Sequence, residues 1–235
     1  MGIFDFFKSK KNITETKAVS ENFVEDTNEE IELCTFTEIS GKRFFNELSN
    51  YGFEPEYWFG AYSSFSSSEK FKIFIGDIEG KGELNFDVDN LLVVGNINAE
   101  WLNTEYDNGG GSLFVTGDII CDYFSNYYGK LVVVNGSLLV KKIVNNEFED
   151  STLTVRQNFA TEYYHGIDIW VEAGGKIDVL YGNGYCLPVG YKEPSKECIV
   201  PKYNDSISKD LLGIDDVNVD SINKLIRERV LKQNN

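Results

Sequence analysis

The chain has 235 residues, 42% of them hydrophobic and 14% aromatic, and a formal net charge of −16. Its length and apolar content suit a globular protein with a sizeable core and exclude a wholly disordered chain. The charge argues against nucleic-acid binding, which needs clustered Lys and Arg, and it suits solubility or steering toward a basic protein partner.

The opening "MGIFDFFKSKKN" puts its apolar residues ahead of its lysines, the reverse of a secretory signal. No apolar run approaches the ~20 residues of a membrane span. A cytoplasmic location with reduced thiols is therefore expected. Residues 1–33 read as a flexible acidic arm. Residues 34–70 read as an N-terminal cap region, in which "SGKRFFNELSNYGFEP" (Ser40 to Pro55) contains a helical segment ended by Gly52, placed to cover the open N-terminal end of a core. The stretch from Phe71 to Asn90 is strand-like but out of register with the later coils, as an irregular first coil would be.

From Asn90 onward the chain repeats itself. "NLLVVGNINAEWL", "SLFVTGDIICDYF", "KLVVVNGSLLVKKI" and "TLTVRQNFATEYY" are variants of one pattern, and Val171 to Val179 continue it. With Gly95, Gly117, Gly136, Gln157 and Gly175 taken as zero, the spacings are 22, 19, 21 and 18 residues. Positions −4 (Leu91, Leu113, Val132, Leu153, Val171), −2 (Val93, Val115, Val134, Val155, Ala173) and +2 (Ile97, Ile119, Leu138, Phe159, Ile177) are apolar. Position +4 (Ala99, Cys121, Val140, Thr161, Val179) is small or apolar. Apolar residues at alternate positions mark strands with one buried face, and the glycine between the pairs marks a bend. A unit that buries one face and recurs at a near-constant period must stack on its neighbours.

The expected fold is mainly β: a short right-handed parallel β-helix of about five to six coils over residues 71–190. The alternative is an antiparallel sandwich in which "YDNGGG" (Tyr106 to Gly111) closes a hairpin. Residues 191–235 form a C-terminal tail, whose "DSINKLIRERVLKQ" sets Ile222, Leu225, Ile226 and Val230 on one helical face behind an Asp220 or Ser221 cap. Such a helix is expected to cover the last, unpaired coil.

Two columns are expected to reach the surface. Position +5 reads Glu100, Asp122, Lys141, Glu162, Leu180, and +6 reads Trp101, Tyr123, Lys142, Tyr163, Tyr181. Glu100, Trp101, Asp122, Tyr123, Glu162 and Tyr163 make a candidate partner-binding surface, because aromatics beside carboxylates give large contact area at low entropy cost. Aromatic stacking between coils and a surface charge ladder would produce the same columns without any partner.

Chemistry has little foothold. The four cysteines (Cys34, Cys121, Cys186, Cys198) form no CxxC, and His165 is the lone histidine, read as a turn residue. Cys121 reads as a small buried hydrophobe. There is no P-loop, GxSxG or HExxH. Asp118, Asp122 and Asp178 show no spacing that singles out a glycosidase pair. No catalysis, cofactor or metal is expected.

The coils "LLVVGNINAEWL" and "SLFVTGDIICDYF", the "YYHG" turn, "WVEAGGKIDVLYG" and the tail "DLLGIDDVNVDSINKLIRERV" resemble a group of bacterial cytoplasmic β-helix proteins found beside polymorphic toxin genes as presumed immunity proteins. The resemblance spans about residues 71–232, with Gln157 in place of the coil glycine and Asn96 where Asp is usual. It implies a non-catalytic, stoichiometric inhibitor that binds a cognate toxin protein, as a monomer or small homo-oligomer. A more distant resemblance to bactofilin-like solenoids implies a self-assembling scaffold, a role that caps at both ends would obstruct. A carbohydrate-binding or carbohydrate-cleaving β-helix would need Trp101, Tyr123 and Tyr163 to be open to solvent.

Overall fold

The computed structural model describes residues 36–53, 69–86, 88–104, 111–126, 130–183, 186–192 and 205–233, and of 148–151 and 205–208 only the backbone. The expected arm, residues 1–33, and most of the proposed hairpin tip lie outside these residues.

The chain winds into a β-solenoid of about five turns. Each turn lays one strand in each of two parallel sheets. Sheet A contains β2 (Phe71–Ile75), β4 (Asn90–Val94), β6 (Ser112–Val115) and β8 (Leu131–Val134). The later parts of β9 (Leu138–Val155) and β10 (Phe159–Ala173), then β12 (Val189–Gly190), complete it. Sheet B contains β3 (Ile78–Asn85), β5 (Ile97–Asn103), β7 (Ile119–Asn126), the first parts of β9 and β10, and β11 (Ile177–Asn183). The strands on either side of the "YDNGGG" stretch, β5 and β6, pair in parallel with different partners, which removes the sandwich alternative.

The register is the one the repeat dictates. Leu91, Leu113, Val132 and Leu153 stand in line across sheet A, and Ile97, Ile119, Leu138, Phe159 and Ile177 across sheet B. These columns form the main core, with Cys121 buried among them as expected. Burial, and then the nearby Asp122 charge, push the Cys121 thiol far above its ordinary range, so it stays neutral.

The zero and +1 positions knit the bend. Gly117 N donates to Gly95 O (2.9 Å) and Gly136 N to Gly117 O (3.0 Å). Beside them, Asn96 N donates to Asp77 Oδ1 (2.7 Å), Asp118 N to Asn96 Oδ1 (2.8 Å), Ser137 N to Asp118 Oδ1 (2.8 Å) and Lys176 N to Asn158 Oδ1 (2.9 Å). A side-chain amide oxygen accepts these N–H bonds as a carboxylate oxygen does, so Asn96 fills in its coil the role that Asp118 fills in the next. The glycine here is required by crowding: a Cβ on Gly136 would collide with Asp118 Oδ1 and Gly117 O.

The first coil is in register, contrary to expectation: Lys72 stands beside Leu91, Phe74 beside Val93 and Ile78 beside Ile97. The sequence hides this because Lys72 occupies an aliphatic position. At this end the column meets Phe36, whose ring packs on Phe74 and Phe86, and Lys72 Nζ lies 5.9 Å from the Phe36 ring centre.

The helices lie on the flanks rather than at the ends. The edge of β2 is closed by a short antiparallel strand, β1 (Thr37–Ile39). Helix α1 (Gly41–Asn50), capped by Ser40 and ended at Gly52 with φ 76°, packs Phe44, Leu48 and Phe53 on the outer face of sheet A against Ile73, Leu92 and Phe114. The C-terminal α2 (Asp205–Leu212) lies near β11, and α3 (Val219–Gln233) crosses the outer face of sheet B over β3, β5 and β9. The tail helix therefore does not cap the last coil. Its N-cap is Asn218, which accepts from Ser221 N (2.9 Å), rather than Asp220 or Ser221.

Candidate functional site

The +6 column is real but shifted by one residue in one coil. Trp101 pairs with Tyr123, Tyr123 with Ile143, Ile143 with Tyr163 and Tyr163 with Tyr181. Strand β9 carries one extra residue at this point, a bulge that moves Lys142 out of the column and seats Ile143 in it. The bulge brings two lysines to one carboxylate: Asp122 accepts from Lys141 Nζ (2.8 Å) and Lys142 Nζ (2.9 Å). Burial pushes the Asp122 carboxyl up, but the hydrogen bonds and charges of the two lysines outweigh it and hold the group below its ordinary range. Lys142 Nζ also lies 4.8 Å from the Tyr123 ring centre.

Three of its four aromatic members are not at the surface, while Tyr181, at the last coil, is exposed. Trp101 is 0% exposed, and Tyr123 and Tyr163 are each 1% exposed. They form a third apolar cluster with Ile143, Leu212 and the inward face of α3: Ile222, Ile226 and Val230. The expectation of an open acidic–aromatic surface is thus corrected for Trp101, Tyr123 and Tyr163, which serve as the floor under a helix. The physical reason is their apolar area: four large side chains in line on a sheet face call for a cover, and the apolar face of α3 fits it. A sugar groove on this column is removed by the same cover. Of the acidic members, Glu162 is exposed and Asp122 is half-buried between its lysines. Glu100, also half-buried, accepts from Gly82 N (3.0 Å). Gly82 sits at a bulge in β3 with φ 73°, a left-handed angle that favours glycine.

Beside the floor runs a polar corner that the sequence reading missed. Asn103, Ser125, Asn145, His165 and Asn183 stand in one column, all buried. Side-chain hydrogen bonds tie the column to its surroundings. Trp101 Nε1 donates to Ser125 Oγ (3.0 Å), and Ser125 Oγ donates to Asn223 Oδ1 of α3 (2.8 Å). Asn145 Nδ2 donates to Asn223 Oδ1 (2.9 Å) and to Val219 O (3.0 Å), while Asn103 Nδ2 donates to Glu83 Oε1 (2.7 Å). The signal was present at eight or nine residues past each coil zero: Asn, Ser, Asn, His, Asn.

Glu83 continues the floor at the first coil, in register with Trp101. Arg227 of α3 sits over both, with Nε 3.9 Å from Glu83 Oε2 and its guanidinium carbon 5.7 Å from the Trp101 ring centre. With its amide nitrogen turned toward Glu100, Gln233 donates to Glu100 Oε1 (3.0 Å) and accepts from Lys142 Nζ (3.1 Å). At the other end of the helix lies Glu147, whose carboxyl is pushed up by burial, pulled down by the Val219 N–H and pushed up by Asp220.

Among the described residues, no group of three His, Cys, Asp or Glu is placed to hold a metal ion. A narrow cleft between Phe86, Leu113 and the buried Lys130 has room for no more than a water. No described helix is long and apolar enough to cross a membrane. No family model, curated protein or solved structure matches this chain.

Proposed function

We propose that the protein is a non-catalytic binding protein that neutralises a cognate toxin protein, in the manner of the immunity-type β-helix proteins its coils resemble. The observation that carries this reading is charge set on a rigid frame. A chain of net charge −16 builds its interior from aliphatic columns, and Glu162 and other carboxylates stay on the outside. Such a surface accelerates encounter with a basic protein through long-range attraction. With Trp101, Tyr123 and Tyr163 covered, a partner that meets the chain as it stands would touch Glu162, Glu100 and the Asp122–lysine cluster. The cytoplasm, where such inhibitors act, is the corresponding location.

Purification of the tagged protein from its own host is the first test. A basic protein recovered in equal amount, toxic when expressed alone and harmless with this chain, supports the reading. Its association rate should fall roughly tenfold or more between 50 mM and 500 mM salt, and further in Glu162→Lys. A partner whose toxicity the chain does not relieve would count against neutralisation.

A self-assembling scaffold is the second reading. It draws on the apolar side chains near the last coil: Trp170 is 58% exposed, Leu180 45%, Val189 41% and Tyr181 39%. Against it stands β1, which pairs antiparallel with β2 and so prevents another copy's parallel coil from continuing onto sheet A. Light scattering separates the two: a dispersed monomer or dimer at high concentration rejects the scaffold.

A further inference from the structure

The helix that covers sheet B differs in character from the rest of the chain. Residues 219–233 carry four cations (Lys224, Arg227, Arg229, Lys232) and two acids (Asp220, Glu228), in a chain of net charge −16. Their seat is matched to that composition. Its apolar floor takes Ile222, Ile226 and Val230 at i, i+4 and i+8. Its corner offers Ser125 and Asn145 to the Asn223 amide oxygen, and its far edge offers Glu83 and the Trp101 face to Arg227. A floor with a polar reading edge and an acidic clamp is the chemistry of helix-in-groove recognition.

The geometry points to the outer face of sheet B as a receptor for a basic amphipathic helix of a partner protein, with α3 as its exchangeable occupant in cis. The incoming helix carries branched aliphatic residues at i, i+4 and i+8, an amide at i+1 and an arginine at i+5. Charge complementarity selects it: a second copy of the whole chain would bring another net charge of −16, whereas a basic helix sets an arginine over Glu83, as α3 does with Arg227. The inference deepens the binding-protein reading and rests on it, by naming the surface and the kind of segment it takes. The cost of displacing α3 sets the affinity, because a site free for only a fraction of the time binds weaker by that fraction.

The test uses a fluorescent peptide of residues 213–235, titrated into the full-length protein and its variants. Asn223→Ala in the full chain weakens the cis helix and should tighten peptide binding at least tenfold over the unmodified chain. A peptide carrying Arg227→Glu should lose binding to that variant. Glu83→Lys, which leaves the apolar floor intact, should bind the Arg227→Glu peptide more tightly than the unmodified chain does. Absence of peptide binding to any of these chains while their sheet circular dichroism is intact overturns the proposal, as does binding indifferent to the charge swap. The toxin is not used, so the failures are distinguishable. Peptide binding without a co-purifying toxin sinks the toxin reading alone, and a neutralised toxin without peptide binding sinks this inference alone.

Discussion

Two helices cover the two faces of this solenoid, and they are held in different ways. Helix α1 seats Phe44 and Leu48, with Phe53 just beyond its end, on Phe71, Leu92 and Phe114. The ring centres lie 5.3 Å apart for Phe44–Phe71, 6.0 Å for Phe44–Phe114 and 5.1 Å for Phe53–Phe114. Its polar ties are main-chain oxygens, with Asn135 Nδ2 donating to Tyr51 O (3.0 Å) and Arg156 Nη1 to Gly52 O (2.6 Å). Helix α3 also buries aliphatic side chains, but its position is specified by side-chain groups: Asn223 at the corner and Arg227 over Glu83 and Trp101. Burial of rings gives adhesion that is non-directional and scales with the apolar area removed from water. Polar and ionic contacts give register and selectivity, and each is replaceable by water when the helix leaves. Helix α1 therefore belongs to the core, while α3, on the inference drawn above, is a bound ligand tethered to its receptor.

Substitutions in the two helices should differ in size and reach. Phe44→Ala removes a fully buried ring and should cost about 3–5 kcal/mol, lowering the single denaturant midpoint of sheets and α1 together. Asn223→Ala leaves Ser125 and Asn145 without their shared acceptor and should cost about 1–3 kcal/mol, confined to the exchange rates of α3 amides. Arg227→Ala removes a long, partly solvated contact and should cost at most about 1 kcal/mol, an effect that salt erases.

The smallest effect acts through pH. Glu147 has a carboxyl raised above the usual range by burial and by Asp220, against the Val219 N–H. A raised carboxyl favours the folded state fully below the ordinary carboxylate range and loses that contribution as pH rises through the raised value. Glu147→Gln should therefore match the unmodified chain at low pH and melt slightly higher than it above that window. Melting curves at a series of pH values check this.

The inward columns were legible because burial on one face leaves few choices at −4, −2 and +2, whatever the rest of the coil does. The first coil was not legible, since Lys72 breaks the aliphatic pattern where Phe36 covers the end. The +6 column was readable except at Lys142, because one inserted residue in β9 is invisible to a fixed offset. What covers the column was not legible from the column itself. An amphipathic helix declares that it needs an apolar partner and not which surface supplies one. Sequence therefore points α3 to the open end of the solenoid, when the outer face of sheet B offers Trp101, Tyr123 and Tyr163. The polar corner could have corrected this: buried Asn and Ser at a fixed offset need partners, and Asn223 is one of them.

Residue-resolved hydrogen exchange on the intact, full-length protein decides whether α3 is a tethered ligand or a core element. A tethered ligand requires that amides of 219–233 exchange through a local opening at least a hundredfold faster than those of α1 and of the central strands, and that Asn223→Ala widens the gap. Exchange of α3 only through global unfolding, at the same rate as α1, would contradict this and make both helices equal parts of one core.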